Sequence, residues 1–233
     1  MDTQRKNGMA RFTRLEVLNT IIGTGLVPMF NHPQIDVVKN IVQACADGGA
    51  RIIEFTNRGD RAYQVFLQLG EFCERELPDV ILGAGSIVDA PTAAMFISAG
   101  ANFIVGPIMN PEIARLCNRR KIPYIPGCAT VTEISAAEEL GVEIVKLFPA
   151  GSIGGPEFVK AILAPCPWTS ILIMGGLQPT RECLEPWFKA GVKCVGMSSN
   201  LLQTQLIAAG NFKSIAENVR KAIGLIAEIR QSK

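Results

Sequence analysis

The stretch "VEIVKLFPAGSIGG", residues 142–155, sets Lys146 among Ile144, Val145, Leu147 and Phe148. An ammonium taken out of water costs several kcal/mol unless it is paired or gives up its proton. Desolvation, together with a nearby cation such as Arg58, would lower the lysine pKa and leave a neutral amine. A neutral amine is a nucleophile. It condenses with a ketone to an imine, and the protonated imine is an electron sink for cleaving the adjacent carbon–carbon bond. The plainer alternative is a strand lysine that snorkels to the rim. Leu147, Phe148 and Pro149 leave it little room to escape along the strand.

Other polar residues punctuate apolar runs in the same way. "EFTNRGD" places Glu54 four residues ahead of Arg58, and the run "VILGAG" is followed by Ser86. Glu54 is either an ion-pair partner of the amine or its proton shuttle. The single histidine, His32, cannot furnish a His-rich metal site or a Ser-His-Asp triad, so acid–base work falls to a carboxylate. His32 itself sits after the first run, where it could simply cap a turn. Gly175 and Gly176 precede "LQPTRE", which reads as a helix start. There they either turn a corner or offer backbone N–H groups to an anion, with Ser198 completing the cradle.

These residues are distant in sequence, so the fold must assemble them. Short β-rich runs alternate with segments of helical period: 25–30, 51–56, 80–85, 102–107, 123–127, 143–148, 170–175 and 193–198. Several runs are apolar without alternation, as in parallel strands covered on both faces. Helix starts are legible at Asp89 with Pro91, at Asn110 with Pro111, and at the Thr130/Glu133 capping box. Eight such units predict an α/β fold, a single-domain (β/α)8 TIM barrel, with a doubly wound open sheet as the alternative. In a barrel, chemistry sits at the carboxyl ends of the strands, where Glu54, Arg58, Ser86, Lys146, Gly175, Gly176 and Ser198 all fall.

Two further helices flank the barrel. An extra N-terminal helix starts near Thr13, with "TRLE" as a capping box and Leu15, Leu18, Ile21 and Ile22 as its stripe. A C-terminal helix starts near Asn211, with Phe212, Ile215, Val219, Ile223 and Ile226 on one side. Both read as amphipathic covers that close the barrel bottom or pack on a neighbouring subunit. The domain is read as 1–233, with 14–205 as barrel core and 206–233 as C-terminal helical cover.

Composition excludes several partners. The 233 residues are 48% hydrophobic and 19% charged, with a net charge of +2 spread evenly, which speaks against nucleic acid and anionic membranes. No apolar run approaches the roughly 18 residues that span a bilayer. The first residues lack a secretory signal, so a cytoplasmic setting is expected. Seven cysteines, scattered and never in a CxxC pair, are expected to be reduced and mostly buried.

Taken together, the segments "GLVPMF", "GGARIIEFTNRG", "LGAGSIVDAPTAAMFISAGANFIVGP", "IPYIPGCATVTEISAAEELGVEIVKLFPAG" and "GGLQP" resemble the class I aldolases that split 2-keto-3-deoxy-6-phosphogluconate and 4-hydroxy-2-oxoglutarate. The resemblance covers roughly residues 14–205. It implies Lys146 as Schiff-base lysine, Glu54 as general acid/base, and Arg58 with Ser86 as the clamp on the substrate carboxylate. Gly175, Gly176 and Ser198 would hold a distal phosphate. It also implies a small 2-keto acid substrate, a homotrimer, and neither metal nor external cofactor. Two positions depart from the family pattern: Ile173-Met174 stands where Pro-Thr is usual, and Gly196-Met197-Ser198 where Gly-Gly-Ser is usual. Relatives acting on the galactonate epimer resemble the chain in the first, so 2-dehydro-3-deoxy-6-phosphogalactonate is the alternative substrate. A phosphosugar isomerase or epimerase on the same barrel, or a binding protein without turnover, are the other readings.

Overall fold

A computed structural model describes residues 11–232. The reading of residues 1–10 as free of a signal segment, and the two ends of the 1–233 domain, lie outside the described residues. Parallel strands form one sheet: β1 (Leu26–Phe30), β2 (Ile52–Thr56), β3 (Ile81–Gly85), β4 (Ile104–Val105), β5 (Tyr124–Ile125), β6 (Gly127–Cys128), β7 (Val145–Leu147), β8 (Ile171–Met174) and β9 (Cys194–Met197). Their order is β5-β4-β3-β2-β1-β9-β8-β7-β6. The two edges are halves of one extended segment, because Pro126 separates β5 from β6. β5 pairs with β4 and β6 pairs with β7, so this segment closes the sheet on itself. The fold is therefore the expected (β/α)8 barrel and not an open sheet.

Each of the eight expected runs forms a strand, shorter than its apolar length, and the fifth is divided. Proline explains part of the trimming. Pro126 has no N–H for the ladder, although its carbonyl still accepts from Lys146 N at 2.9 Å. The run 102–107 keeps only Ile104–Val105 as strand, ending ahead of Pro107.

The helices are α1 (Arg14–Thr24), α2 (Ile35–Asp47), α3 (Ala62–Glu76), α4 (Ala90–Ser98), α5 (Pro111–Arg120), α6 (Val131–Glu139), α7 (Gly155–Leu163), α8 (Arg181–Ala190), α9 (Thr204–Ala208) and α10 (Phe212–Gln231). Every cap expected from sequence is made. Asp89 accepts from Thr92 N, Asn110 from Glu112 N and Ile113 N, and Thr13/Glu16 and Thr130/Glu133 are reciprocal capping boxes. Such caps are each worth about 1 kcal/mol.

Of the flanking helices, α1 closes the barrel bottom as expected. α1 leads into β1 and buries Val17, Leu18 and Ile21 against the barrel interior, which includes Ile52, Ile81, Phe103, Ile144, Leu172 and Cys194. It plugs the end opposite the chemistry. The expected stripe is corrected: Leu15 is 71% and Ile22 36% exposed, because a helix capping an end needs a one-turn patch and not a full side. α10 instead lies along the outer helices α2 and α8. Arg230 fastens it to the bottom, donating to Gly23 O and Lys193 O and lying over the Phe188 ring. The expected boundary at 205/206 cuts through α9, whose five residues are too few to show a period. Among the described residues, no helix is long and apolar enough to cross a membrane.

Candidate active site

Alternation along the strands decides which side chains face the barrel axis. Ile52 and Ile144 belong to the interior cluster, so Glu54 and Lys146, two residues further on, point inward near the carboxyl ends of β2 and β7. Glu54 lies in register with Met29 and Gly83, and Lys146 with Gly127 and Leu172. Both are buried, at 2% and 6% exposure, in a core that is otherwise almost wholly apolar. Space for the carboxylate comes from Gly85, where a Cβ would overlap Glu54 Oε1. The other oxygen, Oε2, is buried without a hydrogen-bond partner. The Lys146 amine lies over the face of Phe148, 4.8 Å from the ring centroid.

A tight turn after β2 delivers the second cation. Asn57 N donates to Gly85 O and Arg58 N to Thr56 O, which carries Arg58 across to the end of β3. There Arg58 Nε donates to Ser86 Oγ at 3.4 Å. Ser86 adopts φ 60°, a left-handed conformation that costs a non-glycine residue about 1–2 kcal/mol. Strain of this kind concentrates at functional sites.

The electrostatics follow from burial. Desolvation pushes the Glu54 carboxyl up to about 7, with Lys146 and Arg58 pulling it back. Desolvation likewise pushes the Lys146 amine below its ordinary value; Glu54 opposes this and Arg58 adds to it. The pair is thus held toward its neutral forms. Between pH 4.5 and about 7 the folded chain keeps a proton on Glu54 that the unfolded chain has lost. Stability from this group therefore declines as pH rises across that window, at about 1.4 kcal/mol per unit. Denaturant unfolding at pH 5 and pH 8 is expected to show a loss of about 2 to 3 kcal/mol attributable to Glu54. Glu54→Gln should remove that difference; an unchanged pH dependence would mean the carboxyl is ordinary.

Gly175 and Gly176 follow β8 with φ 107° and 69°, left-handed values that glycine adopts freely, and nothing stands where their side chains would be. Ser198 follows the neighbouring strand β9, exposed at the same end of the barrel. α8 opens at Arg181, within the expected stretch "LQPTRE" but five residues beyond Gly176, and its first turn is already capped by Thr180 Oγ1. The amides available at 175–176 are therefore those of a loop, not of a helix terminus. Met174 points into the barrel, buried, against Gly196. His32 caps its own turn, with Gln34 N donating to Nδ1 at 3.2 Å. Two outer grooves, of about 410 Å³ between α7 and α8 and about 400 Å³ between α2 and α10, contain none of these residues. Among the described residues, no group of three or more His, Cys, Asp or Glu could hold a metal ion.

The structure thus brings Glu54, Lys146, Arg58 and Ser86 to one end of the barrel, with Gly175, Gly176 and Ser198 on the adjoining strands β8 and β9. Sequence reasoning missed Gly85 and Phe148. Phe148 left one signal: it sits two residues from Lys146, hence on the same face.

Residues 17–218 match the family model described as KDPG and KHG aldolase. The chain belongs to this family. Among the aldolases it resembles, the 2-dehydro-3-deoxy-phosphogluconate aldolase of Haemophilus influenzae is 29% identical over 217 residues, covering 92% of this chain and 99% of the relative. The KHG/KDPG aldolase of Escherichia coli K12 is 28% identical over 207 residues, covering 88% and 93%. A crystal structure of the KDPG aldolase of Legionella pneumophila, with pyruvate captured at low pH as a covalent carbinolamine, superposes with a TM-score of 0.79 at 25% identity, covering 87% of this chain and 96% of that one. The two sequence relatives match over nearly their whole length, and the Legionella structure shares the barrel.

Proposed function

We propose that this chain is a class I aldolase that cleaves a 2-keto-3-deoxy-6-phospho-sugar acid, 4-hydroxy-2-oxoglutarate, or both, to pyruvate and an aldehyde. The observation that carries the reading is a buried amine and a buried carboxyl in one barrel mouth, both held toward their neutral forms by desolvation. The names of the relatives above supply the substrate class, and the carbinolamine captured in the Legionella protein supports covalent chemistry without an external cofactor.

Neutral Lys146 attacks the C2 ketone, and the former carbonyl oxygen leaves as water after taking up two protons. The product is a cationic iminium. Glu54 as carboxylate then takes the C4 hydroxyl proton, the C3–C4 electrons flow into the iminium, and a neutral enamine and an aldehyde remain. Glu54, now protonated, returns the proton to C3, and hydrolysis frees pyruvate and the amine. A carboxyl near pH 7 suits both halves of this exchange. Arg58 and Ser86 hold the substrate carboxylate, which turns an encounter into a positioned reaction. Gly175, Gly176 and Ser198 receive the distal phosphate through loop amides and a hydroxyl.

Incubation with pyruvate and borohydride, followed by mass spectrometry, tests the reading; no reduced pyruvyl adduct on the Lys146 peptide would refute it. Pyruvate release from the phosphogluconate, phosphogalactonate and hydroxyoxoglutarate substrates then ranks them. Arg58→Ala is expected to raise KM for each keto acid about tenfold to a hundredfold. It should also move the acid limb of the rate profile upward, because a cation that lowers the Glu54 pKa is gone. An unchanged KM would remove Arg58 from the carboxylate site.

The assembly we propose is a homotrimer. Val88, Met95 and Ile108, about half exposed, leave apolar surface on the segments after β3 and β4 that a second copy would cover. Light scattering decides it. Seven unpaired cysteines fit a reducing cytoplasm.

A further inference from the structure

Phe148 directly follows β7, two residues beyond Lys146, with its N–H donating to Cys128 O at 3.2 Å. Its ring is 38% exposed, and its face receives the Lys146 nitrogen. The aromatic pairs of the barrel, such as Phe30 with Phe55 and Phe66 with Phe96, lie in the layer between strands and helices. Phe148 belongs to none of them; its recorded ring contact is the reacting nitrogen.

That nitrogen changes charge during the reaction. It is neutral when it attacks, neutral in the carbinolamine, and cationic in the iminium. An aromatic face attracts a cation and has no comparable preference for a neutral amine, and the attraction grows when the cation is shielded from water. Only interactions that strengthen along the reaction coordinate accelerate a step. Charge develops on this nitrogen as the carbinolamine loses water, in surroundings where burial and Arg58 penalise it and Glu54 is the main group opposing them.

Resting on the assignment of Lys146 as the imine-forming residue, we propose that Phe148 is a catalytic residue whose ring face stabilises the developing iminium and so drives dehydration of the carbinolamine. The same ring favours the ammonium in the resting enzyme. Its removal therefore has two opposite effects: it lowers the amine pKa further, leaving more neutral nucleophile, and it makes the iminium less accessible. At alkaline pH, where the amine is neutral in every variant, the second effect stands alone.

The test replaces Phe148 with mono-, di- and trifluorophenylalanine, which keep the shape of the ring while progressively emptying its face, and adds Phe148→Leu and Phe148→Trp. With saturating pyruvate at alkaline pH, the rate of borohydride trapping should fall stepwise along the fluorinated series. The span to Phe148→Leu should be about fivefold to thirtyfold, with Phe148→Trp at or above the parent. The pH at which the free amine ionises should drift downward in the same order. A wall that merely packs would give a flat series. If trapping on Lys146 persists unchanged through the trifluoro variant, the inference falls and the Lys146 assignment survives. If the unmodified protein shows no adduct, both fall together.

Discussion

Lys146→Ala is expected to abolish the borohydride-trapped pyruvyl adduct and to lower kcat/KM for aldol cleavage by about 10⁴- to 10⁶-fold, the range seen when a covalent nucleophile is removed. Lys146→Arg should fail as completely. A guanidinium keeps the charge but is not deprotonated at accessible pH, so it forms no imine. This pair of variants separates an aldolase from an isomerase or epimerase on the same barrel, in which a cation alone would serve and the arginine variant would retain turnover. Loss of activity will not trace to unfolding. The folded chain holds the amine pKa below its ordinary value by desolvation, so below that folded pKa the site costs stability. Lys146→Met removes the charged amine from an apolar barrel and is expected to unfold at a temperature at least as high as the parent at pH 6. A lower melting temperature would mean that the amine is well paired in the folded state, contrary to the burial of an amine and a carboxyl both pushed toward neutrality.

How much of this was readable in the sequence depends on how local each cause is. The caps at Asp89, Asn110 and Thr130 were legible because a side chain satisfies amides within three residues of itself. The strand runs were legible because both faces of a parallel sheet are covered, which leaves continuous apolar stretches. The break at Pro126 was visible as a residue but not as an event, since the change of partner from β4 to β7 is a property of barrel closure. The buried face of α1 was misplaced for the same reason: what it caps is decided by strands distant in sequence. In the site, Lys146 and Glu54 declared themselves as charges inside apolar runs. The Arg58–Ser86 contact depends on a left-handed serine and a turn across two strands, and neither leaves a local mark. Gly85 and Phe148 are ordinary residue types in ordinary places, and only their neighbours give them a role.

Gly85→Ala is the variant that asks most of this geometry. Gly85 ends β3 beside β2, in register with Thr56, and the Glu54 side chain folds over it. A methyl group there overlaps Oε1, Cδ and Cγ of Glu54, so the whole carboxyl must swing away and not merely rotate. Its other oxygen has no partner to guide it to a new position. Gly85 lies outside the left-handed region, so alanine brings no backbone strain of its own and the effect is confined to the carboxyl. We expect the cleavage rate to fall by about 10²- to 10⁴-fold, the usual worth of a positioned acid–base group. Pyruvate should still be trapped on Lys146, because the amine and the Arg58–Ser86 contact are untouched. The informative measurement is the double variant. Glu54→Asp shortens the side chain by one methylene and alone should lose activity; combined with Gly85→Ala it removes the closest of the three overlaps, that with Oε1, and the two losses should be less than additive. Strict additivity would show that the methyl acts elsewhere, and full activity in Gly85→Ala would remove Glu54 from the proton path altogether.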